Sequence, residues 1–416
     1  MRRRLSVVLV VALVAAVAAV GALAAGAART VDPGITARTI TLGGTYPLSG
    51  PASSYAPIPV GLKVYFSYVN ATKTKGQRGV FGRQIVWKYV DDGYNPANTV
   101  QQTRALVEQQ KVFALVGGLG TEPQEAVREY LNQQKVPQLF VSTGATEFGS
   151  QFGQYPWTIG WQPDYQAEGA IYGKYIAKNL PTKKIGIIFQ NDSYGQDYIN
   201  GLKAGLGAKV SNIISQQGFD VTAPSVAQQV VALKAANPDI VCIFGTPSPT
   251  IKTYATMKAV GFKPETIFVN SVSATDTFMG LAVANSSADT VNGSISVGYA
   301  KDPKNPKYAK DPAIVLYRKL MAKYAPSADP NNGLYLYGVA KAYDTVQLLR
   351  AVGKNPTRAK LQAAWSHMNW TNPFLLPGVK VRTTANSHYP VSQMKLLKYG
   401  NGLWQEVGDL ISGRGV

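Results

Sequence analysis

From residue 40 to about residue 270, apolar runs of strand length alternate with segments that repeat their apolar residues at helical spacing. The strand-length runs fall at 40–44, 85–90, 112–117, 138–142, 185–190, 210–215, 240–245 and 267–270. Several are continuous rather than alternating, as in Ile240-Val241-Cys242-Ile243-Phe244, which is how a strand buried on both faces of a parallel sheet reads. Residues 97–110, 122–134, 164–179, 194–206, 225–236 and 249–260 carry the helical period between them. This alternation predicts βαβ crossovers and an α/β fold of doubly wound parallel sheets.

The pattern changes near Tyr155 and again over a Pro-, Lys- and Asp-rich stretch at 299–310. Four β-α units precede the first change and four follow it. A chain of 416 residues is long enough for two domains. The expectation is therefore two lobes joined by hinge crossings: 36–156 with 300–388, and 157–299 with 389–412. Beyond Pro312, residues 313–324, 332–352 and 358–367 read as helices and 392–397 as strand. No internal repeat is visible at the residue level.

The N-terminus bears on compartment. Arg2, Arg3 and Arg4 precede an uncharged apolar run over 7–28 that ends in Ala25-Gly26-Ala27, the pattern of a secretory signal peptide over 1–28. About 18 apolar residues also suffice to span a bilayer, so a retained membrane anchor stays open. Either way the basic end stays cytoplasmic and the rest is exported to the periplasm or the cell surface. No cysteine follows the run to accept a lipid.

Without those three arginines, 39 basic residues face 23 acidic ones, a net charge of +16. The cations are scattered, with small clusters at Lys73 and Lys75, at Lys183-Lys184 and over 301–310. That is a solvated basic surface facing an anionic envelope rather than the arginine-rich patches of a nucleic-acid binder. The one cysteine, Cys242, excludes an internal disulfide and cysteine-based metal clusters, and reads as a buried thiol. The two histidines, His367 and His388, read as structural or solvated. P-loop, G-x-S-x-G and H-E-x-x-H patterns are absent, and Gly118-x-Gly120-x-x-Pro123 lacks the third glycine of a dinucleotide fingerprint. Neither catalysis nor a cofactor nor a metal is expected; a secreted enzyme using the interlobe cleft is the remote alternative.

Doubly wound sheets bind ligands outside the carboxyl ends of their strands. The loops there are Gly118-Leu119-Gly120-Thr121-Glu122-Pro123-Gln124, Ser142-Thr143-Gly144-Ala145-Thr146, Asn191-Asp192-Ser193-Tyr194-Gly195-Gln196 and Gly245-Thr246-Pro247-Ser248-Pro249. Thr121 with Gln124 and Ser193 with Gln196 read as capping boxes, and Pro249 as a first helical residue. Free amides and hydroxyls in such loops hold carboxylates. Singly, each loop is equally served by helix capping; their order along the chain is what distinguishes it.

Tyr46-Pro47-Leu48-Ser49-Gly50-Pro51, Gly79-Val80-Phe81-Gly82-Arg83 before Tyr89-Val90-Asp91-Asp92, Val116-Gly117-Gly118, 141–146, 191–195 and Ala259-Val260-Gly261-Phe262 together resemble the branched-chain amino-acid (Leu/Ile/Val)-binding class of periplasmic solute-binding proteins. The resemblance covers nearly the whole chain beyond Ile40. It implies the type I periplasmic binding fold: two α/β lobes joined by three crossings, closing on a small-molecule ligand that is handed to an ABC permease in the membrane. A monomer without nucleic-acid contact is expected, and a ligand-binding module that signals rather than delivers is the alternative.

By the same resemblance, Tyr55 lines the cleft, while Thr121 and the amides around Gly144 and Thr146 take a carboxylate. Tyr194 matches the closing tyrosine of the second lobe, and Thr246 falls where an aromatic often sits. Trp161 is either an aromatic wall or a packing residue. One departure stands out. Where the class places an acid for the ligand's ammonium group, this chain reads Asn270-Ser271-Val272-Ser273. An unpaired buried ammonium is strongly unfavourable, so the expected ligand is a small carboxylate or amide with a neutral or apolar second end, unless Glu122, Asp192 or Asp276 replaces the acid.

Overall fold

The strand-length apolar runs pair into two sheets in a computed structural model that describes residues 31–413. The signal and anchor readings of 1–28 lie outside those residues. Strands β1 (Thr39–Tyr46), β2 (Gln84–Asp91), β3 (Ala114–Val116), β4 (Gln138–Val141) and β5 (Thr158–Gly160) form a parallel sheet in the order β2-β1-β3-β4-β5. The second sheet holds β6 (Ile185–Gln190), β7 (Ile213–Phe219), β8 (Ile240–Phe244), β9 (Thr266–Val269), β10 (Ile295–Gly298), β11 (Gln393–Gly400) and β12 (Leu403–Ser412). Its order is β12-β11-β10-β9-β8-β6-β7, parallel from β7 to β10 and antiparallel through β11 and β12.

The continuous apolar runs follow from cover on both faces. In β8, Ile240, Cys242 and Phe244 enter one core while Val241 and Ile243 enter another, because successive side chains point to opposite faces. In β3, Ala114 and Val116 face one core and Leu115 a second. Edge strand β7 alternates half-buried with exposed residues instead, and it starts at Ile213, since 207–212 form a 3-10 segment.

Helices fill both faces. Those that bear on the cleft are α1 (Pro57–Ala71), α2 (Thr121–Gln133), α3 (Tyr165–Asn179), α4 (Ser193–Leu206), α5 (Pro247–Ala259), α6 (Asp276–Asn285) and α7 (Gly333–Val352). The chain leaves the first sheet after β5, returns after β10, and crosses again to reach β11, giving three crossings between two lobes. Strand β5 belongs to the first sheet, so that sheet extends past the change in pattern near Tyr155. Helix α7 lies across α1 with backbones nearly touching: a Cβ on Gly338 would stand 2.2 Å from the Ile58 carbonyl oxygen, and one on Gly61 2.2 Å from that of Tyr335. Among the described residues no helix is long and apolar enough to cross a membrane.

Candidate functional site

Loops following the strands of both lobes meet in one cleft. Tyr55, Tyr94, Thr121 and Ser142 come from the first lobe, and Tyr194, Thr246 and Ser271 from the second. Tyr165, Tyr299, Tyr308 and Tyr337 bring the lining tyrosines to seven, so the wall is rich in aromatic rings that each carry a polar hydroxyl, as suits a small-molecule site. The lobes touch across it. Tyr55 donates its hydroxyl to the Val272 carbonyl at 3.1 Å and packs edge-on to Phe278 at 6.1 Å. The Thr146 amide donates to Asp197 Oδ2 of α4 at 2.7 Å. This is a closed arrangement.

Tyr55, Thr121, Tyr194 and Thr246 are brought together at the cleft, and Gly144, Thr146 and Trp161 are not among the residues lining it. Thr121 is the first residue of α2 rather than its cap, and its hydroxyl shares a 2.7 Å hydrogen bond with that of Thr143. Gln124 turns inward to Thr45 at 3.0 Å, so the expected capping box is not formed. Helix α4 is capped by Asp192, which accepts from the Gly195 amide at 3.0 Å, and Ser193 is already helical. Thr246 is the N-cap of α5, so that helix opens at Pro247, and its hydroxyl donates to Gln190 at 3.1 Å. Tyr194 hydrogen-bonds Asn270 and meets the Tyr165 ring edge-on at 5.1 Å.

The loop after β4 serves the protein itself. A Cβ on Gly144 would meet the Pro163 carbonyl and the Tyr165 ring. The Ala145 amide donates to Thr143 Oγ1 at 3.0 Å and the Thr146 amide to Asp197, while the Thr146 hydroxyl is buried without a partner. Trp161 is fully buried, donates to Asp344 at 2.8 Å, and packs edge-on to Tyr337 at 5.0 Å, so it supports the wall from behind. His388 stacks on Phe152 at 4.2 Å, and Cys242 is a buried thiol.

The acids sort by environment. Ser271 donates both its amide and its hydroxyl to Glu168, at 2.7 and 2.6 Å, and Tyr172 donates to the same carboxylate at 2.7 Å. Glu168 is thus a buried acid behind the cleft, its pKa raised by desolvation against those hydrogen bonds. Asp276 lines the cleft, and burial together with the facing Asp302 carboxyl pushes it up to about 8. Asp192 is engaged by Gln190 and by its cap, and Glu122 does not line the cleft.

Sequence reasoning passed over the groups behind the first-lobe wall. Lys341 of α7 is fully buried. Its ammonium donates to Ser142 Oγ and, at 3.0 Å, to the Tyr337 hydroxyl. It lies 5.1 Å from the Trp161 ring and 4.6 Å from that of Tyr337. Gly117, at φ +67°, leaves the room: a Cβ there would meet the Lys341 stem at 2.9 Å and the Tyr46 hydroxyl at 2.6 Å. The signal in the sequence was one cation inside the apolar face of α7.

A sequence profile described as "Periplasmic binding protein" matches residues 39–402. Leu/Ile/Val-binding protein homolog 3 of Brucella melitensis biotype 1 is 22% identical over 210 residues, 50% of this chain and 54% of that protein, so the chain spans about half the length of this relative. A solved structure of a possible leucine/isoleucine/valine-binding protein from Rhodopirellula baltica SH 1 is similar at TM-score 0.75 and 22% identity, covering 92% of this chain and 98% of the other. A fatty acid ABC transporter substrate-binding protein from Thermomonospora curvata gives 0.78 at 20% identity over 92% and 95%. A branched chain amino acid ABC transporter protein from Thermus thermophilus with bound valine gives 0.79 at 17% identity over 91% and 98%. At these identities the solved structures speak to the fold.

Proposed function

This chain belongs to the periplasmic binding protein family, and from that premise we propose that it is an extracytoplasmic solute-binding protein that captures a small carboxylate or amide between its lobes and delivers it to an ABC permease. The observation that carries the ligand class is at Ser271. Where the class places its ammonium-binding acid, Ser271 stands with amide and hydroxyl both bonded to Glu168, whose carboxylate is thereby satisfied away from the cleft. Of the acids lining the cleft, Asp276 is pushed up to about 8 by burial and the neighbouring Asp302, so at neutral pH it offers little fixed charge to an ammonium group, and Glu406 is engaged by Lys307, Lys395 and Tyr308. The tyrosine-rich wall suits an apolar or ring-bearing body.

The test is a thermal-shift panel on the purified chain, since a ligand that binds the folded form raises its stability by mass action. Leucine, isoleucine and valine are compared with their deaminated acids and the corresponding amides, alongside mass spectrometry of any small molecule that co-purifies. Stabilisation by the acids or amides and not by the amino acids is expected. Stabilisation by the amino acids alone would overturn the ligand class and point to Asp276.

A further inference from the structure

We propose that the ligand's anionic oxygen is received by the Tyr165 hydroxyl, at the end of a hydrogen-bond relay that begins at the Lys341 ammonium, so that the cleft selects a carboxylate over the uncharged amide of the same shape. This deepens the solute-binding reading above and rests on it.

A buried cation is retained when something compensates it, because desolvating an ammonium costs several kcal/mol and an unpaired one is worse. Lys341 forms no ion pair among the described residues. Asp344, one turn along α7, is held at 2.8 Å by each of the Trp161 and Trp370 indole N–H groups. The ammonium touches only hydroxyls and ring faces, and both hydroxyls belong to residues that line the cleft.

The relay has one direction. Ser142, having accepted from Lys341, passes its own proton to the Gly117 carbonyl at 2.7 Å. Tyr337 accepts from Lys341 at 3.0 Å and donates to Gln162 Oε1 at 2.7 Å. Gln162 Nε2 then donates to the Tyr165 hydroxyl at 3.0 Å. Among the described residues no hydrogen bond donated by the Tyr165 O–H is recorded, and Tyr165 lines the cleft, so in this proposal that proton meets the ligand; each link polarises the next in a low-dielectric interior. Burial raises the Tyr165 pKa, against the Gly144 amide and the Thr143 hydroxyl, so Tyr165 keeps its proton and serves as a donor. The amides of Ala145 and Thr146, the alternative carboxylate holders, already donate within the protein.

Lys341 acts on the ligand through Tyr337, Gln162 and Tyr165, which makes it a positioning residue and calls for a readout that loss of packing would not move. The groups around it are Asp344 and Tyr337 on its own helix, Ser142 and Trp161 from the first sheet's loops, and Tyr46 across Gly117. Burial lowers the Lys341 pKa well below its ordinary value, partly countered by Asp344. An anion arriving at Tyr165 favours the charged form of Lys341.

The test uses matched probes, 4-methylpentanoate with 4-methylpentanamide and 3-phenylpropanoate with 3-phenylpropanamide, on wild type, Lys341→Met and Tyr165→Phe. Thermal shift and calorimetry read the affinity for each probe. At least one acid is expected to bind the wild type tenfold or more tightly than its amide. Lys341→Met should weaken that acid about 10- to 100-fold and the amide by much less, so that the preference for the acid is lost, as expected when a charge-assisted bond is lost. Tyr165→Phe, which removes only the donating hydroxyl, should weaken both probes and the acid by more, so the acid preference falls even if Lys341→Met does not fold. Retained acid preference in both variants overturns the relay, as does a wild type stabilised by amides and not by acids. A wild type that responds to no probe and carries no co-purifying small molecule overturns the solute-binding reading itself.

Discussion

The Thr146 hydroxyl is buried with no hydrogen-bond partner, whereas the Thr121 hydroxyl shares its bond with Thr143 at the cleft wall. The same substitution should therefore act oppositely at the two positions. Thr146→Val removes an unsatisfied polar atom at nearly constant volume, so stability should hold or rise by about 1 kcal/mol with ligand affinity unchanged. Thr121→Val leaves Thr143 short of a partner at the cleft, at a cost of roughly 1–3 kcal/mol and with weakened binding. Denaturant titration and calorimetry on the two variants check both; a Thr146→Val protein that loses affinity would bring that hydroxyl back into the site. At this scale the sequence showed which loops meet but not which atoms in them are free. Ser142 and Lys341 stand 199 positions apart in the chain, and only the packing of α7 behind β4 turns a lone apolar-face lysine into a donor at the cleft. The engagement of the Thr146 amide by Asp197 was hidden for the same reason.

Strands were legible because the doubly wound sheet imposes a rule that a single sequence can display. Residues 240–244 must be apolar at every position when two cores claim alternate side chains. Elements without such a rule were missed. Helix α1 has eight buried residues, and its Pro-Ile-Pro start and Gly61 broke the helical reading. Strand β5 is only three residues long, and α6 follows a Ser/Thr-rich loop without a clear apolar stripe. The α1–α7 crossing supplies a test at this scale, since Gly338 is where the two backbones meet and Lys341 lies one turn beyond. Gly338→Ala places a Cβ 2.2 Å from the Ile58 carbonyl oxygen, which no side-chain rotation relieves. The helices must separate, at roughly 1–3 kcal/mol, and carboxylate affinity should fall as the Lys341 relay shifts. Gly280→Ala in α6 meets nothing within 4 Å and is the control, expected to be neutral or stabilising by up to about 1 kcal/mol. Equal unfolding midpoints for the two variants would show that the crossing tolerates separation.

At the scale of the whole molecule, two lobes joined by three crossings touch through the Tyr55–Val272 and Thr146–Asp197 hydrogen bonds, contacts that an opened hinge is expected to break, and the same arrangement brings acids together. Glu147 of the first lobe is pushed up to about 8 by burial, by the neighbouring Glu125 and by Asp197 of the second lobe, with Arg128 opposing. When the lobes part, Asp197 withdraws and the Glu147 carboxyl falls only in part, because Glu125, a larger cause, stays beside it in the first lobe. As pH approaches about 8 the closed form therefore binds more protons than the open form, and closure weakens as pH rises through that value. Two outcomes follow for small-angle scattering. A ligand verified to bind should shrink the radius of gyration, because only the closed state offers it contacts from both lobes. The ligand-free protein should expand between pH 5.5 and 8.5, and Glu147→Gln, which cannot ionise, should stay compact across the same range. An unchanged radius with and without ligand would refute hinge closure outright. Expansion of Glu147→Gln equal to that of the wild type would keep the hinge and move the pH response to Asp276, whose carboxyl is also raised to about 8 by burial and by Asp302.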